Sequence, residues 1–318
     1  MLHQFRHQLV DGCARIALGA GEVQQCAAEL VAALTPIEAR ETRALFVSGD
    51  GEPALNDFPR VASLHDIDVL ARSGSLLDQL AEGRITSHFH PIVHAQDTTR
   101  IFGHEALLRG VERDGSLVAP QPIFNLAREA GLLVQLDSAA CRCAIQNAAR
   151  YGPDMQVFIN FSPAAVLDPE ETLRATVAAT DEAGLRRDRL IFEVTEADRL
   201  ADPPLLAALL EAYRRAGFRV ALDDLGAGWS TLNLLHLLRP DFIKLDRELM
   251  HGVQRDPVKG LIAGKLLEIG KGMGIQTIVE GIEEPEEMDW VRAHGADYAQ
   301  GFLFGLPNER PLPPAPRI

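Results

Sequence analysis

Residues 190–246 read LIFEVTEADRLADPPLLAALLEAYRRAGFRVALDDLGAGWSTLNLLHLLRPDFIKLD. Three short runs rich in apolar and β-branched residues stand out: Leu190 to Thr195, Arg219 to Asp224 and Phe242 to Asp246. A stretch of helical length and amphipathic spacing, Pro203 to Ala216, separates the first two. Alternation of strand-length and helix-length segments marks repeated strand–helix units. The same rhythm extends outward from about residue 85, adding Ser87 to Val93, Gly103 to Arg109, Gln156 to Asn160, Gln276 to Glu280 and Tyr298 to Phe304 as strands. That makes eight strand candidates, the number a closed barrel requires. Further helices are expected over Asp137 to Tyr151, Pro257 to Gly272 and Pro285 to His294, because proline tends to open a helix and glycine to follow one.

No helical stretch separates the first two strand candidates, and a tight connection makes those strands antiparallel. The expected fold is therefore α/β: a TIM-like (β/α)8 barrel with an irregular, antiparallel first strand, plus a small N-terminal α or α/β segment. Such a barrel takes about 250 residues, and the chain has 318, so an appendage is needed. We divide the chain into an N-terminal segment of regulatory or capping type, residues 1–70, and a barrel over residues 71–318. Within the first part Glu22 to Leu34 reads as an amphipathic helix and Arg43 to Val47 as a strand. Asp66 to Glu82 reads as a helix leading into the barrel, interrupted around Ser73 to Ser75.

The hydrophobic fraction of 47% and charged fraction of 24% fit a soluble globular protein with ample core material, which excludes a fibrous or globally disordered chain. A formal net charge of -14 and the lack of a basic run argue against DNA or RNA as a partner. Apolar stretches are broken well before about 18 residues, so no membrane insertion is expected. The N-terminus lacks a signal pattern, so a cytoplasmic location is expected. Cys13, Cys26, Cys141 and Cys143 form no CxxC pair and read as reduced, structural thiols.

The informative feature is where the acids fall. Asn160 ends the third strand candidate, Glu193 and Glu196 flank the end of the fourth, and Asp223 and Asp224 close the fifth. Lys244 and Asp246 end the sixth, Glu280 and Glu283 follow the seventh, Gln300 lies within the eighth, and Glu105 lies on the second. In a barrel the strand ends converge on one face, where barrel enzymes place their chemistry. A lone acid after a strand is ordinarily a helix cap or a solvated turn residue, and Glu283 or Glu196 alone carries that reading. The set as a whole does not. Like charges about 4 Å apart repel by roughly 1 kcal/mol in water and about 4 kcal/mol at an effective dielectric near 20. Lys244 alone cannot neutralise the group, so either divalent cations bind there or several acids are protonated. Oxygen-only ligands favour Mg²⁺ or Mn²⁺. Two such ions about 3.5 to 4 Å apart suit in-line displacement at phosphorus, which makes hydrolysis of a phosphate ester the expected reaction class.

At Glu105-Ala106-Leu107-Leu108-Arg109 the sequence resembles the EAL family of cyclic di-GMP phosphodiesterases. Further stretches match the family in order: His90-Pro91-Ile92-Val93, Ile159-Asn160-Phe161-Ser162, Phe192-Glu193-Val194-Thr195-Glu196 and Leu222-Asp223-Asp224-Leu225-Gly226. They continue with Ile243-Lys244-Leu245-Asp246, Val279-Glu280-Gly281-Ile282-Glu283 and Gln300-Gly301-Phe302. The resemblance covers roughly residues 75–308 and implies metal-dependent opening of cyclic di-GMP to linear pGpG. It implies Glu105, Asn160, Glu193 and Asp223 as ligands of a first ion, and Asp223 and Asp224, with Glu280, at a second. It implies Lys244 as the group orienting the attacking water, and Glu280 as general base or ligand. Arg109 would pair with a phosphate and Asp246 with a guanine edge, with His90, Leu108 and Gln300 also facing substrate. Glu196, Glu283, Gly226 and Gly228 would support a loop from Asp224 to Thr231 that joins the site to a homodimer interface of the barrel. Leu225 and Trp229 replace the usual aromatic pair, and His90 stands where Gln is common. The alternative is a catalytically weak cyclic di-GMP receptor or interaction module, since many relatives lose ligands; here every ligand position keeps a competent side chain. No GGDEF synthase motif is present, which argues against a bifunctional enzyme.

Overall fold

The computed structural model describes residues 6–10, 13–19, 22–45, 47, 61–152, 154–195, 203–226 and 231–311. In chain order the strands are β1 (Arg6–Val10), β2 (Cys13–Ala17), β3 (Arg43–Ala44), β4 (Ala62–Ser63), β5 (Ile85–His94), β6 (Ile101–Val111), β7 (Leu117–Val118), β8 (Gln156–Asn160), β9 (Leu190–Thr195), β10 (Arg219–Leu225), β11 (Phe242–Leu245), β12 (Gln276–Val279) and β13 (Tyr298–Gln300). The α-helices are α1 (Glu22–Ala32), α2 (Pro36–Glu41), α3 (Leu64–Ala81), α4 (Pro120–Glu129), α5 (Leu133–Tyr151), α6 (Pro169–Glu182), α7 (Pro203–Arg215), α8 (Thr231–Leu238), α9 (Arg247–Met250), α10 (Pro257–Met273) and α11 (Pro285–Ala293). None of the described helices is long and apolar enough to cross a membrane.

The chain forms two compact units: Met1–Gly83 with Gln121–Leu132, and Arg84–Pro120 with Leu133–Ile318. The expected division near residue 70 falls inside α3, and the units part after Gly83 instead. The first unit holds the antiparallel pairs β1–β2 and β3–β4 together with α1, α2, α3 and most of α4. The strand expected over Arg43 to Val47 is reduced to two residues. The interruption expected around Ser73 to Ser75 does not occur. Ser63 caps α3 by accepting from Asp66 N, and the Ser73 hydroxyl donates to Leu70 O at 2.8 Å. Serine satisfied on the preceding turn no longer competes with the helix for backbone partners.

The second unit is the eight-stranded closed barrel, in the order β5-β13-β12-β11-β10-β9-β8-β6, with β6 closing onto β5 and β7 extending β6. β5 runs antiparallel to both β6 and β13, and the other neighbours in the ring are parallel. Three strands stop short of their expected ends. β11 ends at Leu245 because Asp246 already caps α9, accepting from Glu248 N. β12 ends at Val279 and β13 at Gln300.

Strand alternation explains how the barrel carries a polar layer on an apolar one. Ile92, Phe158, Ile191, Ala221, Phe242, Ile278 and Tyr298 form one buried cluster, separate from the larger cluster that packs against the helices. Two residues along, on the same face of each strand, stand His90, Asn160, Glu193, Asp223, Lys244, Glu280 and Gln300. The order reverses on β5 because that strand runs the other way. Each of these seven dyads thus places one apolar side chain beneath one polar side chain.

Two glycines test this packing. A Cβ at Gly301 would land on the backbone of Ile282, whereas one at Gly74, within α3, meets nothing within 4 Å. Gly301→Ala should destabilise by about 1 to 3 kcal/mol through overpacking. Gly74→Ala should stabilise by about 0.5 to 1 kcal/mol through helix propensity. Urea denaturation followed by circular dichroism measures both; an unperturbed Gly301→Ala would contradict the close approach of β13 to the loop after β12.

Candidate active site

Lys244 stands inside the barrel at 1% exposure, and its ammonium gathers carboxylates on or just after four other strands. Nζ lies 2.6 Å from Glu280 Oε1, 2.9 Å from Glu193 Oε1, 3.3 Å from Asp223 Oδ2 and 3.7 Å from Glu105 Oε2. Burial would lower the lysine's affinity for its proton, but Asp223, Glu105, Glu193 and Glu280 outweigh it and hold the group well above its ordinary range. Glu105 is pulled below its usual range despite burial, because Lys244 and the amides of Gln300 and Asn160 favour its charge. Asn160 Nδ2 donates to Glu105 Oε1 at 2.9 Å, and Gln300 Nε2 donates to Glu105 Oε2 at 2.8 Å.

The other acids are under electrostatic stress. Burial, with Asp223 adding to it, pushes Glu280 well up. Glu193 is raised likewise by burial, with Glu105 and Asp223 opposing the relief from Lys244. Glu193 is fully buried and its Oε2 has no hydrogen-bond partner among the described residues. A carboxylate oxygen buried with no donor is expensive. A buried carboxylate oxygen without a donor suits a hard, oxygen-ligated ion such as Mg²⁺ or Mn²⁺.

Asp223 and Asp224 are neighbours in sequence, and on a regular strand they would point to opposite faces. β10 is irregular here: its register against β11 shifts between Leu222 and Leu225, and Asp224 takes a left-handed conformation at φ 57°. Such irregularities re-aim side chains and are held only where the surroundings enforce them. The result is that one oxygen each from Asp223, Asp224 and Glu280 lie within 4.8 Å of one another. Asp224 is pushed up to about 6 by burial, with Asp223 and Asp246 adding to it. Asp223, Asp224 and Glu280 therefore form an oxygen-donor group that fits a divalent cation.

The remaining expected residues are spread over several elements. His90 joins the polar layer: Gln300 Nε2 lies 2.8 Å from its Nδ1, and burial holds the imidazole below its ordinary range. Arg109 shares the inward face of β6 with Glu105, and its Nη1 donates to the carbonyl of the largely buried Leu108 at 2.8 Å. The Asp246 carboxylate accepts from Glu248 N at 2.8 Å, so it serves α9 as a cap. Gly226, at φ 106°, follows β10 and packs against Leu249, while Glu283 is exposed 3.9 Å from Arg247 Nη1. Glu196 and Gly228, with Trp229, lie outside the described residues. Sequence reasoning passed over Glu287, which is fully buried and accepts the backbone N–H of Gly252, Glu283 and Glu284. Its signal was the capping-box spacing with Glu284.

A family model described as the EAL domain matches residues 73–307. An Escherichia coli protein named probable cyclic di-GMP phosphodiesterase PdeB is 30% identical over 239 residues, which are 74% of this chain and 45% of that protein. Among solved structures, a standalone versatile EAL protein from Vibrio cholerae O395 in its cyclic di-GMP bound form matches with a TM-score of 0.65 at 31% identity, over 73% of this chain and 95% of that one. Klebsiella pneumoniae BlrP1, as a manganese and cyclic di-GMP complex, matches with a TM-score of 0.65 at 30% identity, over 71% of this chain and 56% of that one. The chain spans less than half the length of the curated relatives it matches. With a match across most of its length and the carboxylate-lined barrel to go with it, the chain belongs to the EAL domain family, among whose members are proteins named as cyclic di-GMP phosphodiesterases.

Proposed function

We propose that the barrel hydrolyses one phosphodiester bond of cyclic di-GMP to give linear pGpG, using Mg²⁺ or Mn²⁺, with two ions per site. The observation that carries this reading is the buried Glu193, whose Oε2 has no hydrogen-bond partner among the described residues, together with the Asp223, Asp224 and Glu280 cluster. When bound, such ions supply an acidified water and neutralise charge on phosphoryl oxygens. The chain's own groups do the rest. Lys244 Nζ donates to Glu280 and Asp223 and orients what binds between them. Gln300 and Asn160 fix both oxygens of Glu105. Arg109 offers a planar fork to a phosphate.

Incubation of the purified protein with cyclic di-GMP and Mn²⁺ should yield pGpG by chromatography, and chelation should stop it. Intact cyclic di-GMP bound tightly under those conditions would favour the receptor reading. Asp223→Asn should lose most turnover at any substrate concentration, whereas Arg109→Ala removes a charge-assisted contact of roughly 1.5 to 3 kcal/mol and should chiefly raise KM, by about 10- to 150-fold.

Metal binding has a readout independent of turnover. At about 100 times its Kd an ion that binds only the folded state adds about 2.7 kcal/mol, or about 5 to 10 °C in Tm for a domain of this size. Mn²⁺ should raise Tm by that much in the native protein and less in Glu193→Gln. Equal shifts in both would remove Glu193 from the ligand set.

Homodimerisation is part of the same proposal. Val258, Leu261 and Ile262 form an apolar stripe on α10, with Leu261 65% exposed. Leu261→Glu should produce a monomer by light scattering with lower specific activity; a native protein that is already monomeric and fully active would rule the dimer out.

A further inference from the structure

Among the described residues outside the shell of Lys244, the acid with no exposure at all is Glu287, in the first turn of α11. Its Oε1 accepts from Gly252 N at 2.9 Å, and its Oε2 accepts from Glu283 N at 3.0 Å and Glu284 N at 3.2 Å. A helix cap accounts for the bonds to the residues just before α11. It does not account for Gly252, which lies 35 residues away.

Gly252 closes the turn after α9, in the connection that follows β11, and Glu283 lies in the connection that follows β12. One carboxylate therefore joins the loops beyond two adjacent strands, which pair Lys244 with Ile278 and carry Lys244 and Glu280 to their 2.6 Å contact. The linked segments are also tightly stacked. A side chain at Gly281 would run into Arg247 of α9, and Lys259 Nζ donates to Glu248 O at 2.6 Å and His251 O at 2.8 Å at the far end of that helix. α9 thus lies against Gly281 at one end and is bonded to Lys259 at the other, a contiguous path from the Gly252 turn to Glu280.

We propose that Glu287 is a positioning residue that sets the Lys244–Glu280 geometry by latching the loop after β11 to the loop after β12. The inference rests on the hydrolytic reading of the site. Two acceptor oxygens are needed for the latch, one for each loop; a carboxylate supplies both, and an amide supplies one.

The test compares Glu287→Ala, Glu287→Gln and Asp297→Ala in the full chain. Asp297 is the comparator: it accepts Thr277 N at 2.8 Å and Thr277 Oγ1 at 2.9 Å at the start of β12, away from the polar layer. Each variant is measured for Tm, for kcat and KM with cyclic di-GMP and Mn²⁺, and for Mn²⁺ affinity by electron paramagnetic resonance of the free ion. Glu287→Ala should lower kcat by about 10- to 100-fold with KM little changed, as misplacement of a reacting group does. Glu287→Gln should recover part of that loss, and Asp297→Ala should lose Tm while keeping kcat. Equal kcat in Glu287→Ala and Asp297→Ala overturns the latch. Should the native protein show no turnover, the hydrolytic reading fails and the Mn²⁺ titration decides: the latch requires affinity weaker by about 10-fold in Glu287→Ala, and unchanged affinity overturns it.

Discussion

A single ammonium inside a β-barrel holds this structure's polar centre together. Lys244 is all but inaccessible to water and is in contact with Glu280, Glu193, Asp223 and Glu105, each on or just after a different strand. Without it, four carboxylates would face one another over an apolar layer, where their repulsion is far stronger than in water. With it, the strand ends are drawn to a common point, but the charge is still unbalanced: Asp224 adds a fifth acid to the four that share one lysine. Buried ion pairs are poor sources of net stability even when matched. An unmatched set such as this one costs the fold, and its persistence argues for a role in binding.

The barrel was legible because its strands are short, apolar and evenly interleaved with helices. Gln156–Asn160 and Leu190–Thr195 are strands with the bounds the sequence suggests, and the missing helix between β5 and β6 announced their antiparallel pairing. The N-terminal unit was less so. Its strands are two to five residues long, too short for a period to register, and Ser73 to Ser75 reads as a breaker only when the serine hydroxyl's partner on the preceding turn is unknown. The positions of the acids at strand ends were also visible. The dyad that seats them, an inward apolar residue followed two positions later by a polar one, recurs from Phe158 and Asn160 to Tyr298 and Gln300 and was equally available in the sequence.

What no periodicity could supply is the backbone at Asp224. A two-residue repeat assigns Asp223 and Asp224 to opposite faces, and only the left-handed turn at Asp224 brings both toward Glu280. The same limit applies to Asp246 and Glu287. Asp246 has the chemistry of a hydrogen-bond acceptor for a ligand, and no periodicity shows that its Oδ1 also caps α9 by accepting from Glu248 N. Glu287 looks like an ordinary first-turn acid until its second oxygen is traced to a loop far away in sequence.

The charge balance also orders events under the proposed function. Cyclic di-GMP is an anion, the chain carries a net charge of -14, and the barrel mouth adds five acids to one lysine. A phosphodiester approaching that mouth alone meets repulsion that Arg109, half-buried and donating to Leu108 O, offsets only in part. Divalent cations bound there would reverse the local sign before substrate arrives, as bound ions are often the largest charges in a site. The carboxylates that are electrostatically costly to the fold would then be the same groups that, with ions bound, make an anionic substrate welcome, and Lys244 is the cation that gathers them.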